Sequence, residues 1–189
     1  SNRLDMEHAK QTVQSCEIQS MTVDLTQTHQ EMMERIKTAT LKNEWNEANE
    51  QIADANLRAR LRMSTLYTIA TNYNYLVVGT DNAAEWFTGY FTKFGDGGVD
   101  LQPIIDLTKR EVADMARFLG VPQEVIDKKP SADLWEGQTD EEEMGTTYEM
   151  IDDYLDGKPI PEEEREIIER MHDRTEHKRQ IAPQFRFKK

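Results

Sequence analysis

The chain has 189 residues with 23 lysines and arginines against 36 aspartates and glutamates, so its formal net charge at pH 7 is −13. The length predicts one domain, and the acidic balance disfavours nucleic acid as a partner, because phosphates attract positively charged proteins. A single cysteine excludes an intrachain disulfide framework and favours the reducing cytoplasm, while the lack of an apolar run of about 20 residues argues against a membrane span.

The first third of the chain is predicted to contain one strand and two helices. Apolar and polar residues alternate loosely over residues 14–24, which is typical of a strand. A short amphipathic helix is predicted over residues 26–37. A long helix is predicted over residues 46–72, because apolar residues recur there at three- and four-residue steps without glycine or proline.

The middle of the chain predicts a buried strand followed by helices. Residues 75–80 are predicted to form a short, continuously apolar strand of the kind that is usually buried on both faces of a parallel sheet. A helix near residues 82–88 and a glycine-rich loop at residues 91–100 come next. Thr108 and Glu111 form a capping box that opens another helix.

The last third of the chain is predicted to be helical. Thr139 and Glu142 repeat the capping box, and this helix is expected to continue to Gly157. Pro161 stands at the favoured first turn of the final helix.

The alternation of strands and helices predicts an α/β fold, an open parallel sheet with helices on both faces. Only two strands are evident, however, and the first 78 residues contain no glycine. A phosphate-binding loop normally follows the first strand of such a sheet and needs glycines for close backbone approach. We therefore expect a fold that is incomplete at its N-terminus.

Candidate chemistry lies beyond the carboxyl end of the predicted strand at residues 75–80, where ligands of open parallel sheets bind. Thr80 offers a hydroxyl there, and Glu85 lies on the first turns of the next helix, from which it can face the same crevice. A carboxylate so placed suits Mg²⁺, which shares oxygen ligands with nucleotide phosphates. A favourable interaction with the helix dipole is the simpler explanation of a lone glutamate.

The glycine-rich loop at residues 91–100 is a second candidate site. Lys93 and Asp100 flank three glycines as a cation and an acceptor, and a plain surface turn is the alternative interpretation. Two aromatic residues, Phe91 and Phe94, argue against a solvated turn. Lys109 stands in the first turn of a helix, where the dipole disfavours a cation unless an anionic ligand offsets it.

Six ordered segments resemble one family, the ammonia-dependent NAD⁺ synthetases of the N-type ATP pyrophosphatase superfamily. Residues 56–63 resemble its N-x-[KR]-A-R-x-R-M helix, residues 79–85 its G-T-D-x-x-E signature, and residues 91–100 its F-T-K-[FY]-G-D-G-G-x-D loop. Residues 107–110, 131–134 and 176–180 follow in family order and at compatible spacing.

The resemblance implies an adenine-nucleotide alpha-hydrolase-like fold, a single NAD⁺ synthetase domain over residues 1–189, and a homodimer. It implies a reaction in which the nicotinate carboxylate of deamido-NAD⁺ attacks the α-phosphorus of ATP, after which ammonia displaces AMP. The resemblance implies no residue that takes part directly in making or breaking bonds. The contacts that it implies are ATP at Thr80, Lys109 and Ser131, Mg²⁺ at Glu85, and deamido-NAD⁺ at Arg60, Lys93, Asp100, His177 and Lys178.

The sequence departs from the family pattern in three places. The family's S-G-G-x-D-S loop, which in relatives binds the pyrophosphate end of ATP and supplies a second Mg²⁺ ligand, does not occur in the 189 residues. If these residues are the whole protein, we expect little or no synthetase activity; if they belong to a longer chain, we expect the full protein to be active. Asn82 stands where many relatives carry histidine, which leaves the role of that position open. Ser131 stands where threonine is common and keeps the hydroxyl.

Two other functions stay open on the sequence. Another adenylating amidoligase of the same superfamily, such as a GMP synthetase, would share the adenylation step but not the loop at residues 91–100. A non-catalytic helical scaffold is compatible with the long helix and with the acidic block at residues 133–169. Titration with ATP–Mg²⁺ and deamido-NAD⁺ separates these functions, because a scaffold should bind neither.

Overall fold

The computed structural model describes residues 3–40, 44–131 and 137–185. Over these residues the regular structure is helical apart from one β-bridge. The helices are α1 Arg3–Ser15, α2 Thr26–Ala39, α3 Glu50–Tyr73, α4 Ala83–Thr88, α5 Lys109–Phe118, α6 Gln123–Ile126, α7 Asp140–Met144, α8 Tyr148–Leu155 and α9 Glu162–Arg179, with a 3₁₀ turn at Glu47–Asn49.

The strand predicted at residues 14–24 is wrong. Residues 14 and 15 belong to α1, and residues 16–25 have no regular secondary structure. Two helical hydrogen bonds carry the chain past the end of α1, from the N–H of Cys16 to the carbonyl of Thr12 and from Ile18 to Val13. The alternating side chains of Ile18 and Met21 are exposed, so they face no sheet. The helices predicted over residues 26–37 and 46–72 are confirmed as α2 and α3.

The strand predicted at residues 75–80 is reduced to one parallel bridge between Val78 and Leu101. The N–H of Gly79 donates to the carbonyl of Leu101 at 2.8 Å, and the N–H of Asp100 donates to that of Val77 at 2.9 Å. Burial on both faces is wrong, since Leu76 is 66% and Val78 54% exposed while Val77 is buried. The described residues pair on one side of this segment only, so they form no open parallel sheet.

The C-terminal region contains one more helix than the sequence predicts. Gly145, in the left-handed conformation at φ 74°, ends α7, and Thr147 then caps α8 by accepting a hydrogen bond from the N–H of Met150. The expected single helix from Thr139 to Gly157 is therefore two helices. The final helix does begin directly after Pro161.

A small apolar core joins α4, α7, α8 and α9. Its buried members are Ala84, Met144, Tyr148, Ile151 and Ile168. Because Ala84 immediately precedes Glu85, this packing directs the first turn of α4 towards α8. Among the residues that the structure describes, no helix is both long and apolar enough to cross a bilayer.

Candidate functional site

A capping box holds Glu85 at the start of α4. The side chain of Asn82 accepts a hydrogen bond from the N–H of Glu85 at 3.1 Å, and Glu85 Oε2 accepts one from the N–H of Asn82 at 3.0 Å. Such reciprocal bonds satisfy two of the amide groups that a helix start leaves unpaired. Asn82, the position left open by the sequence, therefore fixes the conformation of the glutamate.

Glu85 contacts Lys109, the first residue of α5. Lys109 Nζ lies 3.0 Å from Glu85 Oε1, although the two residues are 24 positions apart. The start of α5 is fixed by Asp152 of α8, whose two carboxylate oxygens each accept a backbone N–H, from Lys109 and from Arg110, at 3.0 Å. The structure thus brings together the glutamate and the lysine that the sequence singled out.

Two tyrosines link Glu85 to further carboxylates. The Tyr148 hydroxyl lies 3.2 Å from Glu85 Oε1 and 3.0 Å from Asp140 Oδ2. The Tyr90 hydroxyl lies 3.2 Å from Asp140 Oδ1 and 2.7 Å from Glu143 Oε2. Burial and the adjacent carboxylates raise the pKa of both tyrosines, so both remain protonated donors.

Sequence reasoning missed this chain of tyrosines and carboxylates. Tyr148 lies inside the helix predicted from Thr139 to Gly157, but it is 63 positions from Glu85, and no local pattern links the two residues. Ser131 joins the far end of the chain, because its hydroxyl donates to the carbonyl of Gln138 and the Gln138 amide donates to Glu143 Oε2. Residues 132–134 of the motif that begins at Ser131 lie outside the described residues.

Thr80 is exposed, and the residue after it, Asp81, is a buried carboxylate. Asp81 is 5% exposed, and its Oδ2 atom has no hydrogen-bond partner within the described part of the chain. Burial and then the charges of Asp96 and Glu85 raise the pKa of Asp81 to about 7. The ordinary value is 3.8.

This raised pKa predicts a specific pH dependence of stability. The pKa of Asp81 is near 3.8 in the unfolded chain and about 7 in the folded state. Between these two pH values the folded state binds more protons than the unfolded state. The contribution of Asp81 is therefore fully present below about pH 4 and is lost, by at most about 1.4 kcal/mol per pH unit, as the pH rises to 7. Asp81→Asn should gain stability relative to the wild type as the pH rises from 5 to 8.

Urea unfolding at pH 5, 6.5 and 8 measures this difference. Exposed Asp106, changed to Asn, is the matched control and should show a difference that does not vary with pH. Parallel pH profiles for the wild type and Asp81→Asn would contradict the prediction.

A second cluster lies at the glycine-rich loop. The Arg60 guanidinium donates to the carbonyl of Lys93 at 3.4 Å, and Lys93 Nζ donates to the carbonyl of His177 at the end of α9. Lys178 Nζ donates to the carbonyls of Gly89 and Phe91 at 2.7 and 2.6 Å, and burial lowers the pKa of Lys178. Four of the five residues that the resemblance assigns to deamido-NAD⁺ thus gather around the start of this loop.

The fifth of these residues, Asp100, has hydrogen-bond partners outside this cluster. Asp100 Oδ2 accepts the N–H of Val77 at 2.7 Å, and Oδ1 accepts the Tyr67 hydroxyl at 3.1 Å. Asp100 therefore connects the β-bridge to α3. The loop itself is not a plain surface turn, because a Cβ atom on Gly97 would lie 2.5 Å from the ring of Phe91.

Side chains of α9 hold the end of α4. Arg179 donates to the carbonyl of Phe87 at 3.0 Å, and the hydroxyl of Thr175 donates to that of Thr88 at 3.1 Å. His172 Nδ1 lies 2.9 Å from the Phe87 carbonyl. The sequence suggested Arg179 as an anion-binding donor or as part of a charged tail, and in the structure it fixes the helix that carries Glu85.

The donor set at Glu85 fits a single-carboxylate Mg²⁺ site. Across residues 3–40, 44–131 and 137–185, no group of three or more histidine, cysteine, aspartate or glutamate side chains could hold a metal ion. Mg²⁺ commonly uses one or two carboxylates and completes its shell with water and phosphate. Glu85 Oε2 accepts a hydrogen bond from Asn82, and Oε1 faces the ammonium of Lys109, so a metal ion at Oε1 would take the place of this ammonium.

Comparisons with known proteins agree on one family. The family model described as NAD synthase matches residues 1–182. The NH₃-dependent NAD⁺ synthetase of Alkaliphilus metalliredigens is 56% identical over 184 residues, which are 97% of this chain and 74% of that protein. The NMN synthetase of Francisella tularensis superposes with a TM-score of 0.90 at 40% identity, covering 98% of this chain and 74% of that one.

A further solved structure is less similar. The NAD⁺ synthetase of Burkholderia pseudomallei has a TM-score of 0.66 at 39% identity, covering 84% of this chain and 59% of that one.

Proposed function

Because the chain belongs to the NAD synthase family, we propose that its 189 residues act as a single NAD⁺ synthetase domain with Glu85 and Lys109 at the nucleotide end of the site. The chain is a ligase of NAD⁺ biosynthesis that forms an amide from ammonia at the expense of ATP. The acid that it amidates is deamido-NAD⁺.

The proposed reaction has two steps. A carboxylate oxygen of the nicotinate attacks the α-phosphorus of ATP, and the bond to pyrophosphate breaks. The nitrogen of ammonia then attacks the acyl carbon, AMP leaves with the bonding electron pair, and a proton is lost from nitrogen. In such displacements the protein contributes positioning and charge stabilisation.

The residues divide between the two substrates. Lys109 is proposed to offset charge on the departing pyrophosphate, with Thr80 and Ser131 as further ATP contacts. A Mg²⁺ ion on Glu85 would supply additional stabilisation of phosphate charge. The proposed deamido-NAD⁺ contacts are Arg60, Lys93, Asp100, His177 and Lys178.

The contact between Lys109 and Glu85 is the observation that carries this proposal. Two elements distant in sequence place a flexible cation 3.0 Å from a carboxylate at the starts of two helices. Helix N-termini favour anions, and a metal–nucleotide needs both a carboxylate for the metal and cations for its phosphates.

We also propose a homodimer, which the resemblance implies. The apolar side chains of Ile52 and Leu66 on α3 are exposed in the single chain, whereas Ala55, Ala59 and Ala70 on the same helix are buried. A second copy packed along α3 would cover this exposed apolar surface.

The nicotinate mononucleotide is a second candidate substrate. The high similarity to an NMN synthetase, at a TM-score of 0.90, favours it. Both acids carry the same nicotinate carboxylate and differ in the adenylate half. Calorimetric titration with each acid in the presence of ATP–Mg²⁺ distinguishes the two substrates, because the true substrate should bind more tightly.

Calorimetric titration tests the proposed site, because it measures ligand binding without turnover. The wild type should bind ATP–Mg²⁺ and deamido-NAD⁺, and Glu85→Gln should weaken ATP–Mg²⁺ binding by about tenfold, the equivalent of one lost charged contact. Exposed Glu149, changed to Gln, is the matched control and should bind as the wild type does. A wild-type chain that binds neither ligand would support the scaffold alternative instead.

A further inference from the structure

The carboxylate of Glu85 already has a cation of its own. Its Oε1 atom lies 3.0 Å from the ammonium of Lys109 and 3.2 Å from the hydroxyl of Tyr148. The side chain of Glu85 is 16% exposed and that of Lys109 is 31% exposed. A metal ion that binds at Oε1 of Glu85 must therefore compete with a bound lysine.

We propose that the ammonium of Lys109 occupies the metal position at Glu85 until a metal ion displaces it. Tyr148 is the positioning residue that keeps the carboxylate fixed during this exchange. This inference rests on the proposed function, because it takes Glu85 as the metal ligand. When a metal–nucleotide binds, the ammonium of Lys109 would leave the carboxylate for the phosphates, and Glu85 would then hold the metal.

The side chain of Lys109 is free to move although its backbone is fixed. Its backbone is fixed by Asp152, but its ammonium is at the end of a flexible four-carbon stem that reaches partial exposure. The ammonium also lies 4.5 Å from the centroid of the Tyr148 ring. The aromatic face can hold the cation after it leaves the carboxylate, so the path of exchange runs over this ring.

The side chain of Tyr148 is held in place by burial. Tyr148 is 5% exposed, belongs to the apolar core, and its backbone N–H donates to Glu141 Oε1 at 3.0 Å. Its hydroxyl stands between the carboxylates of Glu85 and Asp140. With one proton, it donates to one carboxylate at a time and restrains the position of both.

Titration with Mn²⁺ alone, followed by electron paramagnetic resonance of the free ion, tests the proposal without nucleotide or turnover. Removing the competing cation in Lys109→Met should tighten Mn²⁺ binding by about five- to tenfold, since a partly exposed ion pair contributes roughly 1 kcal/mol. Tyr148→Phe, which keeps the ring and removes the hydroxyl, should weaken binding by about tenfold. Glu85→Gln should abolish binding at this site.

Two matched variants control for nonspecific effects. Lys158→Met removes a lysine that pairs with Asp153 and Asp156, and Tyr154→Phe removes a hydroxyl that donates to Glu169; both should leave Mn²⁺ affinity unchanged. Thermal unfolding of each variant separates altered affinity from lost structure.

The outcomes separate the inference from the function on which it rests. If Glu85→Gln abolishes binding but Lys109→Met binds as the wild type does, the metal ligand stands and the exchange is wrong. Unchanged or tighter binding by a folded Tyr148→Phe overturns the positioning role. Mn²⁺ binding that is indifferent to Glu85→Gln removes the proposed metal ligand itself.

Discussion

Replacing Gly89 by alanine is expected to destabilise the protein by about 3 kcal/mol or more, the sum of a left-handed backbone and an overpacked contact. Gly89 ends α4 at φ 68°, a conformation that side chains with a Cβ rarely adopt. A Cβ atom there would lie 2.2 Å from the hydroxyl oxygen of Thr175 on α9. Both atoms are close to the backbone, so neither can yield without separating the two helices.

Gly157 provides a matched control for the backbone part of this effect. It has nearly the same conformation, φ 72°, but a Cβ atom on it would meet nothing within 4 Å. Gly157→Ala should therefore cost only about 1 kcal/mol, which is the conformational term alone. Urea unfolding of both variants measures the difference. Equal losses of stability would show that the clash of the added Cβ atom with Thr175 contributes nothing.

Replacing Asp152 by alanine is the second change with a large expected effect. The side chain of Asp152 is 1% exposed, and its two oxygens accept the N–H groups of Lys109 and Arg110 at the start of α5. Its loss leaves two helix-start donors without their acceptor and should cost about 3 kcal/mol. Because Lys109 then loses its fixed backbone, binding of ATP–Mg²⁺ should weaken as well.

The neighbouring Asp153 is the matched control for this prediction. It pairs near the surface with Arg110 and Lys158, an arrangement that water screens. Asp153→Ala should therefore have a much smaller effect on the urea midpoint and leave nucleotide binding intact. If the two alanine variants lose equal stability, the buried carboxylate does not secure the start of α5.

Helix starts were predictable because their signals are local. Thr108 and Glu111 are three residues apart and form both bonds of the expected capping box, and the Thr139 side chain accepts the N–H of Glu142 as expected. One helical turn contains every atom that such a cap needs, so the sequence within that turn is sufficient.

Strands were predicted less well because their partners are distant. The segment at residues 75–80 has the composition of a buried strand, but its pairing depends on Leu101, more than 20 positions away. Residues 14–24 alternate like a strand, yet they lack a sheet to pair with in the described structure and begin inside α1 instead. A strand exists only through its neighbour, and no local pattern identifies that neighbour.

By itself, the sequence determined the kinds of residue available for the chemistry, the helices that carry most of them, and the family they resemble. Only the tertiary structure decided that Glu85 faces Lys109 and that Tyr148 and Asp140 stand behind the glutamate. The physical reason is separation along the chain. These contacts depend on how α4 and α8 pack in a shared apolar core and on how Asp152 of α8 holds the start of α5, and side chains 24 to 63 positions apart leave no periodic signal of that packing.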